Sequence, residues 1–231
     1  MDKSRKKIQG MFDEIAGKYD FLNHLFTMKM DLKWRREIVQ EIKNNNSPKD
    51  LIIDLATGTG DLSIELLKLN PKKLFAADIS FNMLAFQNKK VNNPALQLLQ
   101  CDSLNLPFED NTIDIVTIGF GIRNFEFMEK CLDEINRVLK SNGQLIIIEM
   151  FSNNNFKTKL FNFYFGKVMP AVGNLISGSK DAYSYLHKSV ANFYSVKDFA
   201  NITLTHNFEE IRVINNFLGV VNTIYLKKSA K

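Results

Sequence analysis

The chain has 231 residues, of which 45% are hydrophobic and 24% charged, and its formal net charge is +5. These proportions exclude a disordered or collagen-like chain, and the length predicts a single folded domain. The basic excess is gathered at the two ends of the sequence instead of forming one dense patch, so we expect no nucleic-acid partner.

The first 43 residues predict a helical N-terminal cap. Ile8, Phe12 and Ile15 recur at helical spacing, and a second helix follows through Trp34. The basic start, MDKSRKKIQG, leads into this amphipathic pattern and is not an apolar signal peptide. Its positive charge favours peripheral contact with a membrane that carries anionic lipid.

Short apolar strands alternate with helices between residues 51 and 149. This alternation is typical of parallel strands that are covered on both faces. We predict the strands at 51–55, 73–78, 96–100, 113–118 and 144–149. We predict the helices at about 61–69, 80–90 and 125–140.

Beyond Met150 the pattern changes to an aromatic, helical region and then to two alternating segments. Residues 156–190 predict a helical insertion on the substrate side of the sheet. The segments EIRVINN and VVNTIYLKK predict an antiparallel hairpin at the sheet edge. The expected fold class is therefore α/β, a doubly wound seven-stranded sheet with helical insertions, in one domain over 1–231.

A small-residue turn, ATGTG at 56–60, joins the first strand to a helix. In an open α/β sheet the ligand binds beyond the carboxyl ends of the strands. A dinucleotide fingerprint would have a third glycine at Ser63, and a phosphate loop would have a lysine where Asp61 stands. The turn therefore predicts a ligand that lacks phosphate. The turn residues expected to approach it are Gly58, Thr59 and Gly60.

Carboxylates stand at the ends of three successive predicted strands, at Asp54, Asp78 and Asp102. Asp78 lies where a carboxylate accepts both hydroxyls of a ribose, and each such hydrogen bond contributes roughly 1.5–3 kcal/mol. Asp102 and Ser103 suit an adenine, whereas Asp54 either braces the turn or contacts the ligand. S-Adenosylmethionine has adenine, ribose and a cationic centre without phosphate, so we predict it as the cofactor.

The two cysteines, Cys101 and Cys131, have neither CxxC spacing nor a histidine cluster nearby. We therefore expect no metal site, and we expect reduced thiols in a cytoplasmic protein.

The segment after the fourth strand lacks the motif of enzymes that methylate amino groups. Those enzymes usually carry Asn/Asp-Pro-Pro-aromatic at this place, whereas this chain has IGFGIRN at 118–124. Three other functions remain open: a methyltransferase of another small molecule, an NAD-linked oxidoreductase, and a non-catalytic partner that binds an adenosyl ligand. The absent third glycine and Asp61 count against the oxidoreductase.

Several segments resemble the family of methyltransferases that C-methylate demethylmenaquinol and the ubiquinone precursor 2-polyprenyl-6-methoxy-1,4-benzoquinol. They are YDFLNHLFTMKMDLKW (19–34), ATGTGD (56–61), DSLNLPFEDNTID (102–114), FGIRNF (120–125), RVLKSNGQLIIIE (137–149) and DAYSYLHKSV (181–190). The resemblance covers nearly the whole chain and implies a class I methyltransferase fold that uses S-adenosylmethionine.

The resemblance also implies the acceptor and the residues that act on it. The acceptor would be a prenylated quinol, with demethylmenaquinol favoured and the benzoquinol as the alternative. Arg123 and Asn124 would be catalytic, with Arg123 stabilising a phenolate and Asn124 orienting a hydroxyl. Gly119 would lie at the cofactor. A homodimer is left open.

The chain departs from this family at a few positions. Asp31 stands where the family usually has histidine, and Gly119 where it usually has serine. Phe-Ser-Asn at 151–153 replaces Ser-Lys-Pro, and Ser-Asn-Gly at 141–143 replaces Pro-Gly-Gly. Only the change at Gly119 removes an expected side-chain contact with the cofactor.

Overall fold

The computed structural model describes residues 3–45, 48–152, 185, 188–217 and 219–229. The predicted insertion at 156–190 therefore lies outside the described residues, except for Tyr185 and 188–190, and it stays a prediction. The helices described are α1 (Arg5–Phe26), α2 (Met30–Asn44), α3 (Asp61–Leu66), α4 (Phe81–Lys90), α5 (Met128–Val138) and α6 (Val196–Thr205). Short 3₁₀ turns occupy Leu67–Leu69 and Ile122–Asn124.

Seven strands form one sheet. They are β1 (Leu51–Leu55), β2 (Lys73–Asp78), β3 (Leu96–Gln100), β4 (Ile113–Gly119), β5 (Leu139–Met150), β6 (Phe208–Phe217) and β7 (Val221–Lys228). Their order across the sheet is β3-β2-β1-β4-β5-β7-β6. The first five strands are parallel, and β7 runs antiparallel to both β5 and β6. The doubly wound sheet and the closing hairpin are confirmed.

The core lies on both faces of the sheet because successive side chains of a strand point in opposite directions. In β1, Ile52 packs in a cluster with Trp34 of α2, whereas Ile53 packs in a second cluster with Leu132 of α5. Ile52, Ile53 and Leu132 are fully buried. Burial on both faces explains why the central strands β1 and β4 are mostly apolar, whereas the edge strand β3 has exposed glutamines at Gln97 and Gln100.

Several predicted boundaries differ from the structure by a few residues, and the largest difference in a strand is at the start of β5. The sequence predicts a helix to residue 140 and a strand from residue 144, whereas α5 ends at Val138 and β5 begins at Leu139. Leu139 pairs with Ile113 before an irregularity in register, and regular pairing resumes at Gln144. This early pairing draws the end of the predicted helix into the sheet.

Helix α1 crosses the carboxyl ends of three neighbouring strands. Its polar side chains contact the segment that follows each strand: Asp20 accepts a hydrogen bond from Thr59 after β1, Asp13 accepts one from Ser80 after β2, and Arg5 pairs with Asp102 after β3. The helix therefore covers the edge of the sheet where ligands bind in this class of fold. Among the described helices, none is both long and apolar enough to span a bilayer.

Candidate active site

The turn after β1 has a backbone that depends on its glycines. Gly58 and Gly60 have φ values of +58° and +88°, which L-residues with side chains rarely adopt. A Cβ atom at Gly60 would lie 2.4 Å from the side chain of Gln87. The Gly58 amide donates to Asp78 at 2.8 Å, so the turn is tied directly to the end of β2.

Asp54 braces this turn from beneath. Its buried carboxylate accepts hydrogen bonds from the hydroxyls of Thr57 at 2.8 Å, Ser63 at 2.6 Å and Thr117 at 2.8 Å. Burial raises the pKa of Asp54, and these three hydroxyls oppose that rise. Asp54 was predicted either to brace the turn or to contact the ligand, and these hydrogen bonds show that it braces the turn.

Asp78 lies at the end of β2 with its carboxylate against the turn. Besides the Gly58 amide, it accepts the Ser80 amide at 2.8 Å. Burial raises the pKa of Asp78 to about 6, because the charged form is poorly solvated there. The remaining acceptor capacity of this carboxylate suits a donor such as a ribose hydroxyl.

Asp102 and Ser103 lie beyond β3, as predicted, but both already have partners. Asp102 accepts the Leu104 amide at 3.0 Å and pairs with Arg5 of α1. The Ser103 hydroxyl lies 3.1 Å from the Cys131 sulfur. Burial raises the pKa of the Cys131 thiol to about 11, so this sulfur is a neutral thiol at neutral pH.

Two adjoining cavities open at this edge of the sheet. The larger has about 820 Å³ of empty space and the smaller about 340 Å³, both partly open to solvent. Both are lined by Tyr19, Ala56, Gly58 and Gly119, which mark their junction. The larger cavity also holds Asp78, Asp102, Ser103 and Asn124, and the smaller holds Asp54 and Thr59. Gly60 and Arg123 line neither of them.

The larger cavity fits an adenosine. It is bordered by apolar side chains on which a flat base can lie, while Asp78 offers an acceptor for sugar hydroxyls. The apolar residues include Ile79, Met83, Leu104 and Phe127. The smaller cavity is more polar and contains Arg35 and Asp61 as well as Asp54. Together they fit a ligand with an adenosine and a charged end, as S-adenosylmethionine has.

Helix α1 and the segment before it contribute cavity residues that the sequence patterns did not predict. Lys3, Arg5 and Tyr19 line the larger cavity. Burial and the Arg123 charge lower the pKa of Lys3, and burial raises the pKa of Tyr19. The sequence signal for Tyr19 is its place in the Tyr-Asp-x-x-Asn segment. The Thr59 hydroxyl donates to Asp20 of this helix, while Thr59 also lines the smaller cavity, and its contact with the cofactor stays a prediction.

Arg123 and Asn124 follow β4, as predicted, but their surroundings differ. The Arg123 guanidinium donates to the buried Glu149 carboxylate at 2.6 Å and to the Phe120 carbonyl at 2.7 Å. Asn124 borders the larger cavity, and its side-chain oxygen accepts a hydrogen bond from the Tyr185 hydroxyl at 3.1 Å. The structure therefore places Asn124 at the larger cavity and Arg123 in an ion pair with Glu149, and the catalytic roles of both residues stay predictions.

His24, Asp31 and Asp61 present ligand atoms within 4.8 Å of one another. A metal ion there would compete with existing partners, because Asp31 pairs with Arg35 and accepts from Thr27 at 2.6 Å. His24 lies 3.0 Å from Asp31 and 3.6 Å from Asp61. These contacts connect α1 and α2 to the helix that follows the glycine turn.

A family model described as the ubiE/COQ5 methyltransferase family matches residues 1–228. A demethylmenaquinone methyltransferase from Chlorobaculum tepidum is 38% identical over 90% of this chain and 86% of its own. A ubiquinone/menaquinone biosynthesis C-methyltransferase UbiE from Geotalea uraniireducens is 38% identical over 96% of this chain and 95% of its own. A SAM-dependent methyltransferase structure from Thermotoga maritima aligns with a TM-score of 0.66, at 20% identity over 96% of this chain and 99% of that one.

Proposed function

Because the chain belongs to the ubiE/COQ5 methyltransferase family, we propose that it transfers a methyl group from S-adenosylmethionine to a ring carbon of demethylmenaquinol, giving menaquinol. The observation that carries this proposal is the likeness to demethylmenaquinone methyltransferases over nine-tenths of the chain. The cavity pair at the strand ends supports it, because its residues fit the cofactor.

A benzoquinol of ubiquinone synthesis is the second candidate acceptor. The name of the Geotalea relative, which covers both quinones, favours keeping it. The two acceptors share a prenyl tail and a ring carbon next to a hydroxyl. The same residues would therefore serve either reaction.

When bound, the cofactor supplies a methyl group on a positively charged sulfur. The task of the chain is to hold the acceptor carbon in line with that methyl group, to favour the phenolate form of the quinol, and to let the ring carbon release its proton to water after the transfer. The Tyr185 hydroxyl donates to the Asn124 side-chain oxygen and so fixes the orientation of the amide. The Asn124 amide nitrogen, which is the donor of this side chain, then donates to a quinol oxygen. Arg123 contributes a positive charge behind Asn124 and fixes the turn at 120–124 through the Phe120 carbonyl.

Peripheral contact with a membrane belongs to this proposal, because a prenylated quinol resides in lipid. Helix α1 and the turn after it expose three apolar side chains at helical spacing, namely Phe21 at 60%, Leu25 at 44% and Met28 at 72%. The exposed Lys29 and Lys33 lie beside them and would attract anionic lipid. A homodimer is the remaining prediction on partners, and sedimentation of the purified protein tests it.

The decisive experiment combines the purified protein, methyl-labelled S-adenosylmethionine and chemically reduced demethylmenaquinol with a short prenyl tail. We expect label on the ring carbon. A parallel reaction with the benzoquinol precursor compares the two acceptors by kcat/KM. Binding of the cofactor without transfer to either quinol would refute quinol methylation and leave two functions, a methyltransferase of another small molecule and a non-catalytic binding partner.

A further inference from the structure

The smaller cavity contains a buried cation whose bonding is incomplete. Arg35 of α2 is 6% exposed and borders this cavity. Its Nε is buried and has no hydrogen-bond partner in the described part of the chain. A buried guanidinium N–H without an acceptor is costly, so the site is complete only when a ligand supplies one.

The charges around Arg35 indicate which ligand that is. The same cavity is bordered by two carboxylates, Asp54 and Asp61. One cation facing two carboxylates does not suit a phosphate, which two acids would repel. It suits a zwitterion, whose anionic end meets the guanidinium and whose cationic end meets a carboxylate.

The position of the cavity indicates the same ligand. It shares Gly58 and Gly119 with the larger cavity, but Asp78, which would contact the ribose, lines the larger cavity only. In S-adenosylmethionine the α-amino acid group extends from the sulfur attached to the ribose. A cofactor whose ribose contacts Asp78 would therefore place its amino acid group beside the turn.

We propose that Arg35 binds the α-carboxylate of S-adenosylmethionine in the smaller cavity, while Asp54 and Asp61 receive its ammonium group. This inference rests on the proposed function for the identity of the cofactor. It assigns Arg35 the recognition of the carboxylate of the amino acid end, which the three strand-end acids cannot bind because they carry the same charge.

The surroundings of Arg35 hold it in place for this role. Its Nη1 pairs with Asp31 one turn earlier on α2, and Asp31 is in turn held by Thr27 and His24. The guanidinium carbon lies 5.7 Å from the centre of the Phe120 ring, which borders the larger cavity. A planar guanidinium fixed on two sides keeps its remaining N–H groups oriented for a carboxylate.

The test compares two ligands that differ in the amino acid group. S-Adenosylhomocysteine has this group, and 5′-methylthioadenosine lacks it. Dissociation constants are measured by calorimetry for the wild type, Arg35→Gln and the double variant Asp31→Asn/Arg35→Gln. The double variant removes both members of the ion pair and so avoids leaving Asp31 as an unpaired buried charge. Arg36→Gln is the matched control, because Arg36 is exposed and pairs with Glu65 outside the cavity.

We expect both Arg35 variants to bind S-adenosylhomocysteine about ten- to hundredfold more weakly, the usual effect of losing a hydrogen-bonded charge. Their affinity for 5′-methylthioadenosine should stay within about twofold of the wild type, and Arg36→Gln should change neither constant. In the wild type, decarboxylated S-adenosylmethionine should bind more weakly than S-adenosylmethionine, and the Arg35 variants should lose this preference.

Two results would overturn the inference. One is an unchanged affinity of the double variant for S-adenosylhomocysteine. The other is an equal loss for both ligands, which would make Arg35 a support of the turn only. If the wild type binds neither ligand, the proposed function fails together with the inference. If the wild type methylates the quinol but binds S-adenosylhomocysteine no more tightly than 5′-methylthioadenosine, only the inference fails.

Discussion

The Arg123–Glu149 ion pair changes what the removal of Arg123 should measure. Glu149 is fully buried, so Arg123→Ala leaves a carboxylate without its cation. We expect a loss of stability of about 3–5 kcal/mol together with a loss of turnover, measured by denaturant unfolding and by methyl transfer. Because unfolding alone would also reduce turnover, this variant cannot establish a catalytic role.

The double variant Arg123→Ala/Glu149→Gln separates the two effects. It should recover most of the stability, since no buried charge remains unpaired. Turnover should stay low in it if Arg123 stabilises the phenolate. Recovery of turnover along with stability would limit Arg123 to holding the turn at 120–124.

Asp78 should make cofactor binding depend on pH. Burial raises its pKa to about 6, and only the ionised carboxylate offers all its oxygens to ribose hydroxyls. Affinity for S-adenosylhomocysteine, measured by calorimetry, should therefore fall as the pH falls through about 6. Asp78→Asn should bind weakly without this step. An unchanged affinity of the wild type between pH 5 and pH 7 would argue against the ribose contact.

The same raised pKa acts in the opposite direction on the stability of the ligand-free protein. The folded state holds the Asp78 proton more tightly than the unfolded state, whose pKa is near 3.8. The contribution of this group to stability is therefore complete below pH 3.8 and is lost as the pH rises through about 6.

Gly119 offers a test of the departure from the family's serine. A Cβ atom there would lie 3.5 Å from Leu62 and 3.8 Å from Ile148, which are ordinary contacts. We expect Gly119→Ser to change stability by less than about 0.5 kcal/mol and to bind S-adenosylhomocysteine severalfold more tightly through one added hydrogen bond.

Gly121→Ser is the matched control for that substitution. Its Cβ atom would lie only 2.6 Å from the Cβ atom of Ala56, so we expect a loss of about 1–3 kcal/mol by thermal unfolding. Weaker cofactor binding in Gly119→Ser would show that this position is too crowded for the side chain.

Residues at the strand ends could be predicted, whereas residues whose role depends on how the helices pack could not. The strand-end positions of Asp78 and Asp102 follow from parallel topology. The pairing of Thr59 with Asp20 depends on how α1 packs, which no local pattern encodes. Arg35 was missed although Asp31 precedes it by four residues, because such pairs are common on exposed helix faces.

At the scale of elements, Ser80 connects the start of α4 to α1. Its oxygen accepts the Met83 amide at 3.1 Å, and its hydroxyl donates to Asp13. We expect Ser80→Ala to lower the free energy of unfolding by about 1 kcal/mol or more and to weaken cofactor binding, because α1 loses an anchor over the larger cavity.

Ser195→Ala is the control for the cap alone. Ser195 caps α6 by accepting the Asp198 amide at 3.1 Å, far from the cavities in sequence. It should lose a similar cap energy and keep cofactor affinity unchanged. If Ser80→Ala and Ser195→Ala change the cofactor affinity equally, the position of α1 over the larger cavity does not depend on Ser80.

The elements themselves were largely predictable. The first three strands begin and end at the predicted residues, because each is a short apolar run between clear turn signals. The early start of β5 was not predictable, since Leu139 continues the apolar spacing of α5 and becomes a strand only through its pairing with Ile113. The position of α1 across three strand ends likewise depends on contacts between distant segments.

At the scale of the whole molecule, the exposed apolar residues of the α1 region should govern membrane binding. We expect the triple variant Phe21→Ser/Leu25→Ser/Met28→Ser to float less with vesicles that contain anionic lipid, because about 25 cal/mol is lost per Å² of apolar surface not buried. Its turnover on a short-tailed quinol in solution should stay close to that of the wild type. Leu204→Ser, which alters an equally exposed apolar residue elsewhere, should float as the wild type does. Undiminished flotation of the triple variant would place the lipid contact on another surface.

The position of β7 has a consequence for the synthesis of the protein on the ribosome. β7 lies between β5 and β6, yet it is translated after both, and about seventy residues separate Met150 from Val221. At about 5–20 residues per second, one side of β5 waits several seconds for its partner. The residues of β5 from Gln144 to Met150 are buried in the folded protein. Until β7 is made, the nascent chain therefore presents an unpaired apolar strand edge to which chaperones, or other nascent chains, can bind.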